Sequence, residues 1–491
     1  MTSADDYERL LIQHTHPTDW QNPKPTGRYN LVVLGAGTAG LVCAAGAAIL
    51  GAKVALVEKN RLGGDCLHHG CVPSKALLRC ARATADVRRA AGFGIEGTAA
   101  ARVDFVAVLD RMRRLRADIS PHDSVQRFRE FGVEVFLGEG RFTCPNRLEV
   151  DGQRLEFARA VIATGSRPAD LALPGLDMGD YLTNETVFDL TTLPRSLAVV
   201  GAGPIGCELA QAFARFGSDV HLVNRSAEVL TREEPEVSAL LRRQLERDGI
   251  RLHLGARLVR LEKTEGRKHL IVEKDGNAQA IEADVILVGI GRRVNVAHLG
   301  LEAAGVVHSE RGLQVNDFLQ TTNPRIYAAG DVCGSYQFTH AADEMARIVL
   351  RNALFFGRER LSKRVIPWCT YTEPEVARVG MSARQAVERG VRIQTIRVPF
   401  SEIDRAILDG EFGGFAMVHV RQGSDRIVGA TIVGPHAGEL IGQMTLAMTN
   451  GLGLSALART VQPYPTLAEA LRKAGDAYQR SRLTPHVGGW L

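Results

Sequence analysis

The chain has 491 residues with 45% apolar and 23% charged side chains, which is the balance of a globular protein of two to four domains. A formal net charge of +5 is too small to indicate a nucleic-acid partner. Eight cysteines are too few for a disulfide-stapled scaffold, and the acidic N-terminus carries no secretory signal, so we expect a cytoplasmic protein.

Three stretches have no special chemistry. Residues 1–28 are polar and hold prolines at 17, 23 and 25, so we interpret them as a loose N-terminal arm. The uncharged stretch 31–52 is long enough to cross a bilayer, but its five glycines and its strand–turn–helix pattern argue against a membrane span. The arginine-rich run RMRRLRADIS (111–120) is either a basic patch or the solvated face of a helix, and we favour the helix face.

Residues 29–60 predict a strand, a glycine turn, a helix and a second strand. Gly35, Gly37 and Gly40 have the G-x-G-x-x-G spacing, and Glu58 closes the second strand where an acid can bind a ribose hydroxyl. The glycines let the backbone approach a pyrophosphate at a helix N-terminus, where free N–H groups favour anions. This unit therefore predicts a dinucleotide site.

The same unit returns at 197–225, with Gly201, Gly203 and Gly206 at the same spacing. We expect a second dinucleotide-binding domain rather than an inactive duplicate, because all three glycines are kept. Its second strand ends in Asn224–Arg225 instead of an acid. An arginine accommodates a 2′-phosphate, so we predict NADPH rather than NADH, unless Arg225 is merely a surface residue.

The segment GGDCLHHGCVPSK (63–75) places Cys66 and Cys71 close together just before a predicted helix. A zinc site that adds His68 or His69 is disfavoured, because ligands crowded into so short a segment cannot easily surround a tetrahedral ion. A static disulfide is disfavoured in a reducing compartment. A redox pair remains, since a helix start and a nearby lysine, Lys75, would stabilise a thiolate. We predict no resident metal ion.

This segment resembles the redox-active disulfide motif G-G-x-C-x-x-x-x-G-C-x-P-S-K of the class I pyridine nucleotide–disulfide oxidoreductases. The resemblance runs from Tyr29 to about Thr484 and includes both glycine fingerprints. It also includes ATGSRP (163–168), GIGRRVN (289–295) and YAAGDV (327–332). Within the family, CELAQAFARFGSDV, RAILDGEFGGFAMV and VGPHAGELI most resemble the mercuric reductase versions.

The resemblance implies an α/β fold, with two Rossmann-like domains for FAD and NAD(P) and a C-terminal α+β dimerisation domain. It implies a homodimer whose active site is shared across the interface. The expected boundaries are 1–28 for the arm, 29–195 and 289–362 for the two parts of the FAD domain, 196–288 for the NAD(P) domain and 363–491 for the dimerisation domain.

The resemblance also implies roles for individual residues. Cys71 would lie against the flavin, Cys66 would exchange with substrate, and Lys75 would lie near the flavin paired with Glu208. Hydride would pass from nicotinamide to flavin, and electrons would then pass through the cysteine pair to the substrate. The residues implied in FAD binding are Gly35, Gly37, Gly40, Glu58, Gly140, Thr164, Gly165, Gly291 and Asp331, and those implied in NADPH binding are Gly201, Gly203, Gly206, Asn224 and Arg225.

The C-terminal part departs from the family pattern. Disulfide reductases of the family use a His-Pro pair followed by a glutamate. In QPYPTLAEALR (462–472) Pro465 and Glu469 are kept, but Tyr464 replaces the histidine, as in mercuric reductases. The chain ends in LTPHVGGWL, without the cysteine pair that mercuric reductases carry there.

The two loop histidines, His68 and His69, have three open interpretations: accessory metal ligands, replacement acid–base groups, or exposed loop residues. We favour the last. We expect an enzyme that oxidises NAD(P)H and passes electrons through Cys66–Cys71 to a soft metal ion or another small thiol-reactive acceptor. The alternatives are a disulfide reductase of the dihydrolipoamide dehydrogenase or glutathione reductase type, which Tyr464 disfavours, and a flavin-bound redox sensor with slow turnover.

Overall fold

The computed structural model describes residues 4–98, 101–175, 177–264 and 267–483. Contacts between residues divide them into two units, each built from two separated segments of chain. Unit one comprises the described residues of 1–195 and 284–363, and unit two comprises those of 196–283 and 364–491. The chain therefore leaves unit one after Arg195 and returns to it at Asp284.

The helices follow one another along the part of the chain that the structure describes. In chain order they are α1 (Ala4–Thr15), α2 (Thr38–Ile49), α3 (Gly64–His68), α4 (Cys71–Arg89), α5 (Phe105–Ile119), α6 (Val125–Glu130), α7 (Pro204–Phe216), α8 (Pro235–Arg247), α9 (Leu301–Ala304), α10 (Thr339–Leu354), α11 (Ala383–Glu388), α12 (Asp404–Leu408), α13 (Ala437–Thr449), α14 (Leu454–Arg459) and α15 (Glu469–Ser481).

The strands are numbered in the same order. They are β1 (Tyr29–Leu34), β2 (Val54–Glu58), β3 (Val133–Leu137), β4 (Arg141–Cys144), β5 (Arg147–Val150), β6 (Gln153–Ile162), β7 (Ser166–Pro168), β8 (Ser196–Val200), β9 (Asp219–Asn224), β10 (Arg251–Leu254), β11 (Arg257–Thr264), β12 (Arg267–Lys274), β13 (Asn277–Ala283), β14 (Val285–Val288), β15 (Arg292–Val294), β16 (His308–Ser309), β17 (Gly312–Leu313), β18 (Ile326–Ala328), β19 (Pro367–Thr370), β20 (Glu375–Gly380), β21 (Ile393–Pro399), β22 (Phe415–Arg421) and β23 (Ile427–Gly434).

Unit one is built on a sheet in the order β3-β2-β1-β6-β5-β4, with β18 paired to β6. Strand β1 lies between β2 and β6 and is parallel to both, with Leu31 opposite Val54 and Arg159. Its apolar residues are buried on both faces of the sheet, as in a doubly wound α/β fold. Helices α2 and α10 pack together over one face. The carboxyl end of β1 leads directly into the first glycine turn.

Unit two repeats this β–α–β arrangement and adds antiparallel sheets. Strand β9 is parallel to β8 and to β10, and α7 connects β8 to β9. Strands β11, β12 and β13 form an antiparallel sheet, and the C-terminal segment forms a second one in the order β19-β20-β23-β22-β21. Helices α13 and α15 pack on this last sheet. The expected fold class, two Rossmann-like domains with a C-terminal α+β domain, is confirmed.

The prediction of a loose N-terminal arm is wrong. Residues 4–15 form α1, which packs against α5 and buries Leu11 and Thr15. Polar residues on the outer face of α1 obscure its helical pattern in the sequence, whereas Leu11 lies on the inner face. Beyond α1, the Asn22 amide exchanges two hydrogen bonds with the backbone of Leu137 on β3, which holds this stretch against the sheet edge.

The arginine-rich run also differs from expectation at one position. It lies on α5, but only 6% of the surface of Arg116 is exposed, and its guanidinium binds Glu8 and the backbone oxygen of His68. This buried arginine is neither part of a basic patch nor part of a solvated face. Within the described part of the chain, no helix is long and apolar enough to cross a membrane, and the suspect stretch 31–52 contains β1 and the short helix α2.

Candidate redox and dinucleotide-binding sites

The first glycine fingerprint forms a tight turn between β1 and α2. Gly35 has a φ of +103°, and a Cβ there would lie 2.4 Å from the oxygen of Ala163. A Cβ on Gly40 would lie 1.8 Å from the oxygen of Gly35, so only glycine permits this approach of helix to strand. Helix α2 begins directly after Gly37, and no side chain caps it. Its first N–H groups therefore face the turn, as a pyrophosphate site requires.

Glu58 lies at the end of β2 beside this turn. Its two carboxylate oxygens accept hydrogen bonds from the backbone N–H groups of Ala36 at 2.6 Å and Asn60 at 2.7 Å. Burial raises the pKa of this carboxyl group, and the two N–H donors act in the opposite direction. Glu58 thus holds the fingerprint turn in place, in addition to the ribose contact expected of it.

The second fingerprint has the same geometry in unit two. Gly201 has a φ of +107°, and a Cβ on Gly206 would lie 1.8 Å from the oxygen of Gly201. Helix α7 starts after Gly203, again with no side-chain cap. Asn224 occupies the position of Glu58 and accepts the N–H of Ala202 at 3.2 Å through its amide oxygen. The turn is therefore built without a carboxylate.

Arg225, the adjacent residue, is exposed. The side-chain amide of Asn224 donates to the backbone oxygens of Ser226 and Glu228, at 3.1 and 2.9 Å, and shapes the loop that follows β9. A cationic side chain beside a neutral amide suits a phosphate more than a bare hydroxyl.

The other residues expected at the FAD site differ in their surroundings. Thr164 and Asn295 are joined by two hydrogen bonds, of 2.7 and 2.9 Å. Gly165 and Gly291 have positive φ values of +68° and +135°, and a Cβ at either would meet open space. Gly140, in contrast, is buried, and a Cβ there would lie 2.6 Å from a methyl group of Leu34. Core packing by itself accounts for glycine at position 140.

Asp331 belongs to a small polar network that the sequence did not reveal in full. It accepts a hydrogen bond from the hydroxyl of Ser166 at 2.6 Å and lies 3.6 Å from the guanidinium of Arg292. Arg292 also lies 3.3 Å from the carboxylate of Asp65 in α3. Burial raises the pKa of Asp331, against the effect of Ser166 and Arg292. Ser166 and Arg292 lie inside the segments ATGSRP and GIGRRVN. These segments, which carry the family resemblance, are the sequence feature that could have pointed to both residues.

The two cysteines of the motif lie at neighbouring helix ends. Cys66 is in the single turn of α3, and Cys71 is the first residue of α4. The sulfur of Cys71 is 3.1 Å from the hydroxyl of Thr339, the first residue of α10. Hydrogen bonding from Cys66, the Thr339 hydroxyl and the charge of Lys75 lower the pKa of Cys71, against burial. The hydrogen bond with Cys71, together with burial, raises the pKa of Cys66.

The arrangement therefore favours one thiolate, at Cys71, beside the Thr339 hydroxyl and stabilised by Cys66. Lys75 lies one turn further along α4. Thr339 was missed by the sequence analysis, because nothing near it in the chain connects it with a residue 268 positions away. Glu208, on α7 in unit two, is buried and accepts the backbone N–H of Tyr371 at 2.7 Å.

The favoured interpretation of His68 as an exposed loop residue is wrong. His68 ends α3 with 2% of its surface exposed, and its Nε2–H donates to the oxygen of Leu62 at 2.8 Å. Burial lowers its pKa to about 4. His69 is half-buried, and burial lowers its pKa as well. A neutral, buried His68 is unsuited to acid–base exchange with substrate. Among the described residues, no group of three His, Cys, Asp or Glu side chains is arranged to hold a metal ion.

Tyr464 lies in unit two with 73% of its surface exposed. Its hydroxyl donates to the carboxylate of Asp404 at 2.9 Å, and this bond raises the pKa of the tyrosine. Glu469 starts α15 and lies 3.6 Å from Lys473, while its second oxygen is buried without a hydrogen-bond partner among the described residues. The end of the C-terminal tail, residues 484–491, lies outside the described residues.

Two family profiles match this chain. The one described as pyridine nucleotide-disulphide oxidoreductase matches residues 29–346, and that of the pyridine nucleotide-disulphide oxidoreductase dimerisation domain matches residues 366–475. The chain is 34% identical to a mercuric reductase from Bacillus cereus over 95% of this chain and 74% of that protein. It is 36% identical to a dihydrolipoyl dehydrogenase from Chlamydia muridarum over 90% of this chain and 95% of that protein.

Similar solved structures have the same fold. LpdA from Mycobacterium tuberculosis superposes with a TM-score of 0.83 at 27% identity, covering 91% of this chain and 99% of that one. The Cu(II) complex of the HOCl-induced flavoprotein disulfide reductase RclA from Escherichia coli superposes with a TM-score of 0.80 at 26% identity, covering 90% of this chain and 98% of that one. The similar proteins thus share one fold, although their names give different activities.

Proposed function

Because the chain belongs to the pyridine nucleotide-disulphide oxidoreductase family, we propose that it is an FAD-dependent enzyme that oxidises NADPH and reduces a soft metal ion through Cys66 and Cys71. The overall reaction balances as NADPH plus a divalent ion giving NADP⁺, a proton and the zero-valent metal. The family is FAD-dependent and uses a pyridine nucleotide. What we propose beyond this is the preference for NADPH and a soft metal ion as the acceptor.

The environment of Cys71 is the observation that carries this proposal. The Thr339 hydroxyl lies 3.1 Å from the Cys71 sulfur, and both it and Cys66 lower the pKa of Cys71, which favours a thiolate there. Cys66 keeps its proton longer and is the thiol that exchanges with the incoming acceptor. Two adjacent sulfur atoms that differ in this way form the donor set that soft metal ions prefer.

The cradle at the start of α2 fits FAD. Glycines 35, 37 and 40 leave the first N–H groups of the helix open to a pyrophosphate, and Glu58 stands at the ribose position. When bound, FAD would accept the electron pair from reduced nucleotide and pass it to the cysteine pair. Asp331, Thr164 and Gly165 would line the remainder of its site. The equivalent cradle of α7, with Asn224 and Arg225, would hold NADPH.

Tyr464 favours a metal ion over a disulfide as the acceptor. Disulfide exchange needs a group that takes a proton from the outer thiol and returns it to the leaving thiol. Tyr464 donates its hydrogen bond to Asp404, which raises its pKa, so it remains protonated at neutral pH. A metal ion binds thiolates directly and needs no protonated leaving thiol. We propose that Tyr464 and Glu469 act across a homodimer interface formed through the dimerisation domain.

The test is an anaerobic titration with NADPH followed by a panel of acceptors: Hg(II), Cu(II), lipoamide and glutathione disulfide. We expect rapid reoxidation by Hg(II), and its loss in Cys66→Ser and Cys71→Ser. Turnover of lipoamide or glutathione disulfide at a kcat/KM of about 10⁴ M⁻¹s⁻¹ or more would favour the disulfide reductase alternative. Slow reoxidation by oxygen as the single response would favour the redox sensor.

The coenzyme preference is tested in the same assay. We expect a higher kcat/KM with NADPH than with NADH, and the ratio should fall in Arg225→Ala because the phosphate loses its cation. Arg195→Ala removes another exposed arginine, with 89% of its side chain exposed, and is the matched control. Equal values for the two coenzymes in the parent enzyme would contradict the NADPH assignment.

A further inference from the structure

We propose that helix α1 is part of the redox site: Glu8, acting through Arg116, positions the end of α3 and thereby the Cys66 side chain against Cys71. The inference rests on the proposed redox role of the two cysteines. Glu8 and Arg116 touch neither substrate nor reacting atoms, so they are positioning residues. Glu8 lies outside the range 29–346 that the family profile matches.

The Glu8 carboxylate joins two arginines. One oxygen lies 2.6 Å from Arg61 and the other lies 2.7 Å from Arg116. The Arg116 side chain is 7% exposed, so its charge is compensated almost entirely by protein groups. Burial raises the pKa of Glu8, but Arg116 and Arg61 lower it further than burial raises it. Glu8 therefore stays ionised at neutral pH and holds both guanidinium groups.

Arg116 carries this restraint to the cysteine-bearing helix. Its other terminal nitrogen donates to the backbone oxygen of His68 at 3.0 Å. His68 is the last residue of α3, and a cation there complements the exposed carbonyls of a helix end. Helix α3 has five residues, so it cannot hold its own shape and depends on contacts such as this one.

The start of the same segment is also tied to α1. The backbone N–H of Leu62 donates to the oxygen of Thr15, the last residue of α1, at 3.0 Å. The oxygen of Leu62 in turn accepts the Nε2–H of His68. Leu62 and His68 are thereby joined to each other. Leu62 is also bound to α1 and His68 to Arg116, and Cys66 lies between them in the chain.

A second set of contacts holds α3 independently of α1. The Asn184 amide donates to Asp65 at 3.1 Å and to the oxygen of His69 at 3.3 Å, and Arg292 lies 3.3 Å from Asp65. Loss of the Glu8 contact should therefore loosen the segment without unfolding it. Because Cys66 lies in α3 and lowers the pKa of Cys71, a looser α3 should weaken the stabilisation of the Cys71 thiolate.

The experiment measures how fast iodoacetamide alkylates Cys71 in the reduced FAD-loaded enzyme as a function of pH, with the site identified by mass spectrometry. We expect Glu8→Gln to move the midpoint of this profile upward by about half a pH unit or more. Glu8→Asp, which keeps the charge, should fall between the variant and the parent. Asp5→Asn removes an exposed charge from the same helix and should leave the midpoint unchanged.

Arg116→Lys is the second variant, since a lysine keeps the charge but lacks the two separate terminal nitrogens that bind Glu8 and the His68 oxygen. Its midpoint should also rise, and hydrogen exchange should increase at residues 62–69 in both variants. Unchanged midpoints in Glu8→Gln and Arg116→Lys would overturn the inference, as would an equal shift in Asp5→Asn. Failure of the proposed function would give a different result. If NADPH does not reduce the cysteine pair, adding NADPH to the parent enzyme would leave the alkylation of Cys66 and Cys71 unchanged.

Discussion

At the scale of single residues, the contact between Cys71 and Thr339 and that between Tyr464 and Asp404 have opposite effects on reactivity. The first stabilises a thiolate, because a hydroxyl 3.1 Å away can donate to the sulfur. The second holds a tyrosine in its protonated form, because a carboxylate 2.9 Å away accepts its hydrogen. In the proposed mechanism the cysteine pair would therefore carry the electrons, and Tyr464 would not act as a base.

Replacing Tyr464 with histidine should restore proton transfer to a disulfide acceptor. A histidine of ordinary pKa near 6.5 exchanges a proton at neutral pH. We expect Tyr464→His to raise kcat/KM for glutathione disulfide or lipoamide by about ten-fold or more, with no gain for Hg(II). Tyr464→Phe is the control and should give no gain with any acceptor. A gain with Hg(II) alone would contradict this role of position 464.

His68 should make stability depend on pH in a defined window. The folded chain keeps His68 neutral down to about pH 4, whereas the unfolded chain takes up the proton near pH 6.5. Falling pH therefore favours unfolding between these values, by at most about 3 kcal/mol. In urea unfolding, the free energy of unfolding of the parent should fall more between pH 6.5 and 4 than that of His68→Gln. His122→Gln, at an exposed position, should follow the parent, and parallel curves for all three would refute the assignment.

At the scale of elements, the molecule uses one strand–turn–helix design twice. In each copy a Cβ on the third glycine would lie 1.8 Å from the oxygen of the first, at Gly40 and at Gly206. The copies differ at the end of their second strand, where Glu58 and Asn224 accept the equivalent N–H group. The shared geometry suits a pyrophosphate in either unit, and we expect the differing side chain to decide which ribose is accepted.

Alanine at these two glycines should separate the two nucleotides. Gly40→Ala pushes α2 away from β1, so we expect the protein to purify with little or no FAD, measured by flavin absorbance. Gly206→Ala should keep its FAD and bind NADPH about ten-fold more weakly or worse, measured by titration. Gly442→Ala is the control, because a Cβ there meets open space. Loss of FAD in Gly206→Ala would contradict the assignment of one nucleotide to each fingerprint.

At the scale of the whole molecule, each unit is completed by a distant part of the chain. In unit two, Arg378 on β20 has 1% of its surface exposed and reaches the segment before α8. Its guanidinium donates to the oxygen of Arg232 at 2.7 Å and lies 3.6 Å from Glu233. The ring of Trp368 covers it, with 4.9 Å between the guanidinium carbon and the ring centroid. This cluster ties the first half of unit two to the second.

Removing Arg378 should therefore destabilise unit two strongly. Arg378→Met leaves Glu233 buried without its cation, and we expect a loss of about 3 kcal/mol or more in unfolding free energy. Adding Glu233→Gln should recover part of it, because the unpaired charge is then absent. Arg384→Met removes an arginine whose side chain is 65% exposed and should change stability by about 0.5 kcal/mol or less. Equal effects of Arg378→Met and Arg384→Met would argue against a linking role.

Features that depend on local spacing can be predicted from the sequence. Both fingerprints were predicted correctly as strand, turn and helix, because Gly35 and Gly201 must adopt positive φ and Gly40 and Gly206 must admit a carbonyl, requirements that no other residue meets. The motif around Cys66 and Cys71 was recognisable for the same reason, since its spacing is local. The two dinucleotide-binding domains followed from the repetition of the β–α–β unit, and the C-terminal α+β domain followed from the family resemblance.

Features that depend on contacts between distant segments become visible only in the folded chain. Thr339 reaches Cys71 across 268 positions, and Arg116 binds Glu8 across 108, so neither contact leaves a periodic or spaced signal in the chain. The same reason explains why the sequence predicts a loose arm where α1 forms and an exposed residue at His68. A polar side chain is buried when a partner arrives from elsewhere to compensate it, and the fold alone determines whether that partner arrives.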